Sequence, residues 1–223
     1  MNNRWITFDC FGTLVDWHTG FADMLQAVAG DRTAELIRAY HECERLLEQE
    51  RPHRLYRDVL KMGIARAAAE IGLPLTDRQA ASLPERWGTQ RVFADVEPAL
   101  AALRAAGWKL AVLTNCDVAL FAETHDGFRQ PFDLIVTAEQ VKDYKPSLAH
   151  FRYFWRVSGV ERHDWVHVAC SWYHDIQPAR EMSIRRIWVD RGKTGDDPTA
   201  ATLRLEDARA LPESVQRLSS MSP

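Results

Sequence analysis

Trp5-Ile6-Thr7-Phe8-Asp9-Cys10-Phe11-Gly12-Thr13-Leu14-Val15-Asp16, near the start of a 223-residue chain, is an apolar run that ends in a carboxylate and then breaks at a glycine. Trp5 to Phe8 reads as a buried strand because it is short, β-branched and aromatic, and a turn signal follows it at once. Asp9 therefore sits at the strand's carboxyl end. In an open parallel α/β sheet that edge is where ligands bind, and an acid placed there with Thr13 beside it is positioned to attack an electrophile. Many strands end in one acid without doing chemistry, so the weight of this reading comes from the rest of the chain.

Outward from this stretch the pattern changes twice. From Thr19 to about Ser82 the apolar residues recur at helical spacing, with Phe21, Met24, Leu25 and Val28 on one stripe, Leu36, Tyr40, Leu46 and Leu47 on a second, and Leu55, Val59, Leu60, Ile64 and Ala68 on a third. Gly30-Asp31, Arg51-Pro52 and Leu73-Pro74 divide the block into roughly four helices. An all-helical block directly after a first strand predicts a cap over the strand ends, with a cap domain over 17–87 and an α/β core over 1–16 and 88–223. From Phe93 onward strands and helices alternate, with helices expected over 97–106, 118–124, 147–157 and 177–182 and strands over 108–114, 132–137, 165–169 and 186–190. Strands regularly separated by helices imply right-handed crossovers, hence a Rossmann-like parallel sheet with helices on both faces. The segment 192–199 is turn-rich, and an edge strand over 202–205 and a short closing helix end the pattern.

Composition narrows the function classes. The chain is 46% hydrophobic and 26% charged, ordinary for a globular protein, and its net charge of −3 with scattered basic residues leaves no footprint for nucleic acid or an anionic membrane. A small-molecule partner is expected. No stretch has the apolar length to span a bilayer and the N-terminus lacks the pattern of a secretory leader, so a cytoplasmic location is expected. Apolar residues in the helical block exceed what one helix layer needs, which points to a homodimer. Cys10, Cys43, Cys116 and Cys170 show no zinc or disulfide spacing. They read as small buried residues, or as an oxidant-sensitive or metal-binding cluster if nearby positive charge stabilises thiolates.

Each strand of the alternating block ends in polar groups. Leu113-Thr114-Asn115-Cys116-Asp117 offers a hydroxyl and an amide at a helix start, where an oxyanion or a plain N-cap would fit equally. Asp143-Tyr144-Lys145-Pro146 places a lysine just before a helix opened by proline, either solvated or set beside Asp9 to hold that carboxylate ionised. Val168-Ala169-Cys170-Ser171-Trp172-Tyr173-His174-Asp175 closes a strand with a serine, a histidine and a second acid.

In this order the motifs resemble the haloacid dehalogenase superfamily, most closely its L-2-haloacid dehalogenases, over nearly the whole chain to about Arg191. The resemblance implies an aspartate nucleophile at Asp9, a lysine partner at Lys145, and supporting roles for Thr13 and Asp175. Arg38 resembles the cap arginine that such enzymes use on halide, with Asn115 as a second donor, although other arginines nearby leave a surface role open. Thr114 and helix amides would bind the substrate carboxylate, while Phe11, Ser171 and Trp172 would line the pocket. Asp175 would orient Lys145 or the attacking water, with His174 a weaker candidate for the base.

The phosphatase branch of the superfamily carries a second aspartate two residues after the nucleophile, where this chain has Phe11. It also usually carries Gly-Asp where this chain has Ala169-Cys170. A hard cation needs oxygen ligands and a departing alkoxide needs a proton donor, whereas halide needs neither. The expected activity is thus a hydrolytic dehalogenase of short 2-haloalkanoic acids that uses no metal and no cofactor. A Mg²⁺-dependent phosphatase or phosphonate hydrolase and a catalytically silent, metabolite- or partner-binding relative are the alternatives. Departures from the dehalogenase pattern are Phe151 in place of a tyrosine, and Cys170 and Trp172 in place of polar residues.

Overall fold

Burial on both faces is what makes the opening stretch a strand. In the computed structural model, which describes residues 3–220, β1 (Trp5–Phe8) has every residue buried. The chain then runs through α1 (Trp17–Ala29), α2 (Thr33–Gln49), α3 (Tyr56–Glu70), α4 (Asp77–Arg86), α5 (Val96–Ala105), β2 (Lys109–Thr114), α6 (Val118–His125), β3 (Leu134–Thr137), α7 (Ala138–Val141), α8 (Ala149–Ser158), β4 (Trp165–Ala169), α9 (Gln177–Glu181), β5 (Arg185–Val189), β6 (Leu203–Leu205) and α10 (Leu211–Ser220). All pairings are parallel in the order β3-β2-β1-β4-β5-β6, with β1 at the centre and the chain order reversing beside it. That reversal opens the crevice expected of a doubly wound sheet.

Alternation along the central strands sends side chains to two cores. Ile6, Phe8, Leu110, Val112, Val166 and Val168 join one apolar cluster, whereas Trp5, Ala111, Leu113 and Trp165 pack on the other side against Phe151 and Phe154 of α8. Helices cover both faces, so the central strands read as continuous apolar runs.

The loop after β1 is wound tightly on Cys10, whose carbonyl accepts from the amides of Thr13, Leu14 and Val15. Gly12 adopts φ +90°, and a Cβ there would come within 2.7 Å of the Cys170 sulfur, so only glycine fits both the backbone and the space. Where the chain enters and leaves the helical block it pairs with itself: the Asp16 amide donates to the Arg91 carbonyl and the Phe93 amide to that of Leu14. Within the block, α2 buries Leu36, Tyr40, Cys43 and Leu47, and the Tyr40 ring lies 3.0 Å from where a Cβ on Gly63 of α3 would be, which brings the two helices close. The apolar residues of α1 to α4 join the same cluster as one face of the sheet. Leu46, on the outer side of α2, is exposed. The apolar surplus that suggested a dimer is thus largely consumed within the chain.

The helical block is longer than its periodicity indicates, because α4 continues past Ser82 through Pro84 and is followed by a single 3₁₀ turn carrying the buried Trp87. Ala138–Val141 and a π-helical turn at Trp172–Ile176 have no counterpart in the sequence reading. Among the described residues no helix is long and apolar enough to cross a membrane.

His150 of α8 is fully buried, with Nε2 3.0 Å from the Thr114 carbonyl oxygen. Burial, reinforced by the Lys145 charge, lowers its pKa from 6.5 to about 3. The unfolded chain therefore gains a proton that the folded one refuses, and stability falls as the pH drops from about 6.5 toward 3. This contribution reaches ~3 kcal/mol near pH ~4. Urea unfolding of His150→Gln across this range is expected to show a shallower loss of stability than the parent chain.

Candidate active site

Asp9 extends β1 by one hydrogen bond, its amide donating to the Val168 carbonyl at 3.0 Å, so the carboxylate is fixed by the sheet itself. Thr13 Oγ donates to Asp9 Oδ2 at 2.7 Å and accepts from the Cys170 amide at 2.8 Å, which ties the loop after β1 to the end of β4. Lys145 enters from the segment before α8 and is 2% exposed. Its ammonium donates three hydrogen bonds, to Asp9 Oδ1 at 2.8 Å, Asp175 Oδ1 at 2.8 Å and the Leu113 carbonyl at 2.9 Å. All three ammonium protons are thereby used.

These charges depend on each other. Burial by itself would favour loss of the Lys145 proton, but Asp175 and then Asp9 outweigh it and raise the pKa. Burial would likewise raise the Asp175 carboxyl, and Lys145 followed by His167 reverses this and lowers it to about 2. His167 is a participant that sequence reasoning missed. Trp165 Nε1 donates to Thr7 Oγ at 2.8 Å, Thr7 lies 2.9 Å from His167 Nδ1, and His167 Nε2 lies 3.0 Å from Asp175 Oδ1. The Asp175 carboxylate can only accept, so the Nε2 proton points to it. Alternation along β1 and β4, which places Thr7 opposite His167, is the signal that would have paired them.

Above Asp9 lies a cavity of about 850 Å³ between the strand ends and the helical block. Of the ten sequence-predicted site residues, Asp9, Phe11, Thr114, Asn115, Lys145, Ser171, Trp172 and Asp175 line it, while Thr13 sits behind Asp9. Arg38 does not: it is exposed on α2, and the same helix presents His41, Glu44 and Glu48 to the cavity instead. Asn115 lines the cavity but its amide is engaged, donating toward Glu48 Oε1 at 3.4 Å and the Lys145 carbonyl at 3.3 Å and accepting from the Lys145 amide at 2.8 Å. The Thr114 hydroxyl oxygen accepts from the Cys116 amide, leaving its proton free to donate. Asp117 serves as a latch, its carboxylate accepting from the amides of Tyr56 and Arg57 and from the Arg57 guanidinium, so that α3 is tied to the sheet edge. Phe151 is fully buried edge-on to the His167 ring, beneath the site.

The four cysteines are unpaired as thiols. Burial, then the Asp9 charge, raises the pKa of both Cys10 and Cys170, and burial followed by Asp117 does so for Cys116. These thiols stay protonated, which favours the packing role over the oxidant-sensitive one. Cys170 directs its sulfur to Asp9 Oδ2 at 3.9 Å and the Phe11 carbonyl at 3.8 Å. This donor set does not suit a magnesium ion. Both Asp9 oxygens and Asp175 Oδ1 already accept from cationic or neutral donors, and the neighbouring positions offer a thiol and a phenyl ring where a hard cation wants oxygen.

A doubly wound parallel sheet with a buried Asp-Lys-Asp cluster at its carboxyl edge and a helical insertion after the first strand is the architecture of the haloacid dehalogenase-like hydrolases. The model of the haloacid dehalogenase-like hydrolases matches residues 4–182, and the chain belongs to that family. The (S)-2-haloacid dehalogenase of Pseudomonas sp. (strain YL) is 24% identical over 83% of this chain and 82% of its own length. The phosphoserine phosphatase of Thermus thermophilus is 32% identical, but over 54% of this chain and about half (49%) of that protein. The structure of the L-2-haloacid dehalogenase from Xanthobacter autotrophicus superposes with a TM-score of 0.84 at 16% identity, covering 98% of this chain and 99% of that one. Another L-2-haloacid dehalogenase gives 0.87 at 22% identity, with 96% and 98% covered. At these identities the superpositions establish the shared fold.

Replacing Lys145 by methionine would leave Asp9 and Asp175 facing each other without a cation, and breaking a buried pair in this way costs about 3–5 kcal/mol. Urea denaturation of Lys145→Met should show a loss of that size, part of which Asp175→Asn on the same background should restore.

Proposed function

We propose that the protein hydrolyses the carbon–halogen bond of short 2-haloalkanoic acids, with Asp9 as nucleophile, no metal ion and no cofactor, and with the helices between Trp17 and Arg86 acting as the cap of the site. The observation that carries this reading is the state of Asp9. Its carboxylate is held by the Lys145 ammonium on one oxygen and the Thr13 hydroxyl on the other, at the floor of a cavity lined by the Phe11 ring and the Cys170 thiol.

In the first step an Asp9 oxygen bonds to the substrate α-carbon as the carbon–halogen bond breaks, and halide leaves with the electron pair. Lys145 and Thr13 hold the attacking group on axis, which is where such catalysis gains most. With Arg38 outside the cavity, the N–H groups of Trp17 and His41 are among the donors that line it for the departing halide. The free Thr114 proton is placed to bind the substrate carboxylate. In the second step water adds to the ester carbonyl carbon, the bond from that carbon to the alkoxy oxygen breaks, and a 2-hydroxy acid and free Asp9 result. His174 lines the cavity, and burial lowers its pKa. Its neutral imidazole is the group that takes the proton from this water. Asp175 also lines the cavity and holds Lys145.

The partial match to a phosphoserine phosphatase raises a second reading, a Mg²⁺-dependent phosphatase. The two are separated by assaying halide release from chloroacetate and 2-chloropropanoate beside hydrolysis of an aryl phosphate. The expected result is halide release that a chelator leaves unchanged and that Asp9→Asn lowers by at least about a thousandfold. Phosphate release stimulated by Mg²⁺, with no halide, would overturn the proposal.

A further inference from the structure

The cap side of the cavity carries the wrong charge for a simple haloacid. Glu44 and Glu48 lie one helical turn apart on α2 and both face the cavity. Glu44 Oε1 accepts from the hydroxyls of Tyr40 at 3.0 Å and Tyr56 at 2.7 Å, and its Oε2 lies 3.3 Å from His41 Nδ1. Glu48 has Asn115 as its hydrogen-bond donor. Among the described residues neither carboxylate has a lysine or arginine partner, whereas the other two acidic side chains of the same helix both do, Glu35 with Arg32 and Glu42 with Arg45.

The cations of the cavity wall are committed elsewhere. Lys145 is held by Asp9 and Asp175, and Arg191 by Asp95 and the Thr13 carbonyl. Burial first, then the Glu44 charge, pushes the Glu48 carboxyl up, and a cation placed between the two acids would oppose that push. A second, independent feature points the same way. Beside the two glutamates the wall is aromatic, with the Trp87 ring 5.1 Å from Phe11, 5.5 Å from Tyr56 and 6.2 Å from Trp17, centre to centre. Aromatic faces combined with carboxylates are how proteins hold ammonium groups, and the same surroundings repel a bare carboxylate.

We propose that Glu44 and Glu48 are specificity-determining residues, and that the substrate is a short haloacid that also bears an ammonium group, with the ammonium seated between these carboxylates and the aromatic wall while the halogen-bearing carbon faces Asp9. The assignment presupposes displacement at carbon by Asp9. In that step the Asp9 oxygen–carbon bond forms, the carbon–halogen bond breaks, halide leaves with the electron pair, and the ammonium keeps its proton.

The test uses pairs that differ by NH₃⁺ against CH₃. Halide release from 3-amino-2-chloropropanoate is compared with that from 2-chlorobutanoate, and equilibrium binding of 3-aminopropanoate is compared with that of butanoate, read by quenching of tryptophan fluorescence through Trp17 and Trp87. The ammonium compound is expected to be preferred about tenfold or more in kcat/KM and in binding, as a hydrogen bond between charged groups supplies. Glu44→Gln and Glu48→Gln, which keep an acceptor for the neighbouring hydroxyls, are each expected to cut that preference about fivefold or more. If no compound releases halide while 3-aminopropanoate still binds better and loses that advantage in the glutamine variants, displacement of halide is wrong and the ammonium assignment stands. Equal binding within the pairs, or a preference that the glutamine substitutions do not reduce, overturns it.

Discussion

One ammonium group decides what this site can be. Lys145 is buried between two carboxylates, and each member of the cluster would be costly to bury without the others. The sheet supplies the means. Asp9 is fixed by β1 through its pairing with β4, Asp175 by a turn after β4 braced from His167, and Lys145 by a segment whose amide is held by Asn115. Three chain segments far apart in sequence meet at the carboxyl edge of the sheet, where the order of strands reverses around β1. The resulting carboxylate is oriented and shielded, as a nucleophile at saturated carbon requires.

The helices above that floor form the opposite wall of the cavity. α2 and α3 pack closely where Gly63 admits the Tyr40 ring, and this packing aims Tyr40 and Tyr56 at the Glu44 carboxylate. Asp117 then latches α3 to the sheet edge by holding the amides of Tyr56 and Arg57. Floor and roof are coupled through Asn115, which touches Lys145 with its carbonyl and Glu48 with its amide. A residue expected to act on the departing group therefore works as a strut between the two halves of the pocket.

Much of this was legible in the residues. Trp5 to Phe8 followed by Asp9 announced a central strand and its terminal acid, and the order of polar strand ends announced which groups would meet, because a parallel sheet brings every carboxyl end to one edge. Arg38 was misplaced because residue type was given more weight than helical phase. It lies two positions after the buried Leu36, on the opposite side of α2, whereas His41, Glu44 and Glu48 share a face. His167 was invisible for another reason, since a histidine inside an apolar strand reads as core until Thr7 and Asp175 are known to flank it. The π-helical turn at Trp172–Ile176 left no pattern in the sequence. It is defined by the Ser171 side chain capping the His174 amide and by the demand that Asp175 reach Lys145.

The central claim is that the Asp9 carboxylate itself forms a bond to the substrate carbon. A single turnover of chloroacetate in heavy-oxygen water, with enzyme in excess, followed by mass analysis of the peptide containing Asp9, tests it most directly. The account predicts that the label enters that peptide. Label found in the product acid alone would mean that water attacked the substrate without an ester on Asp9, and would contradict it.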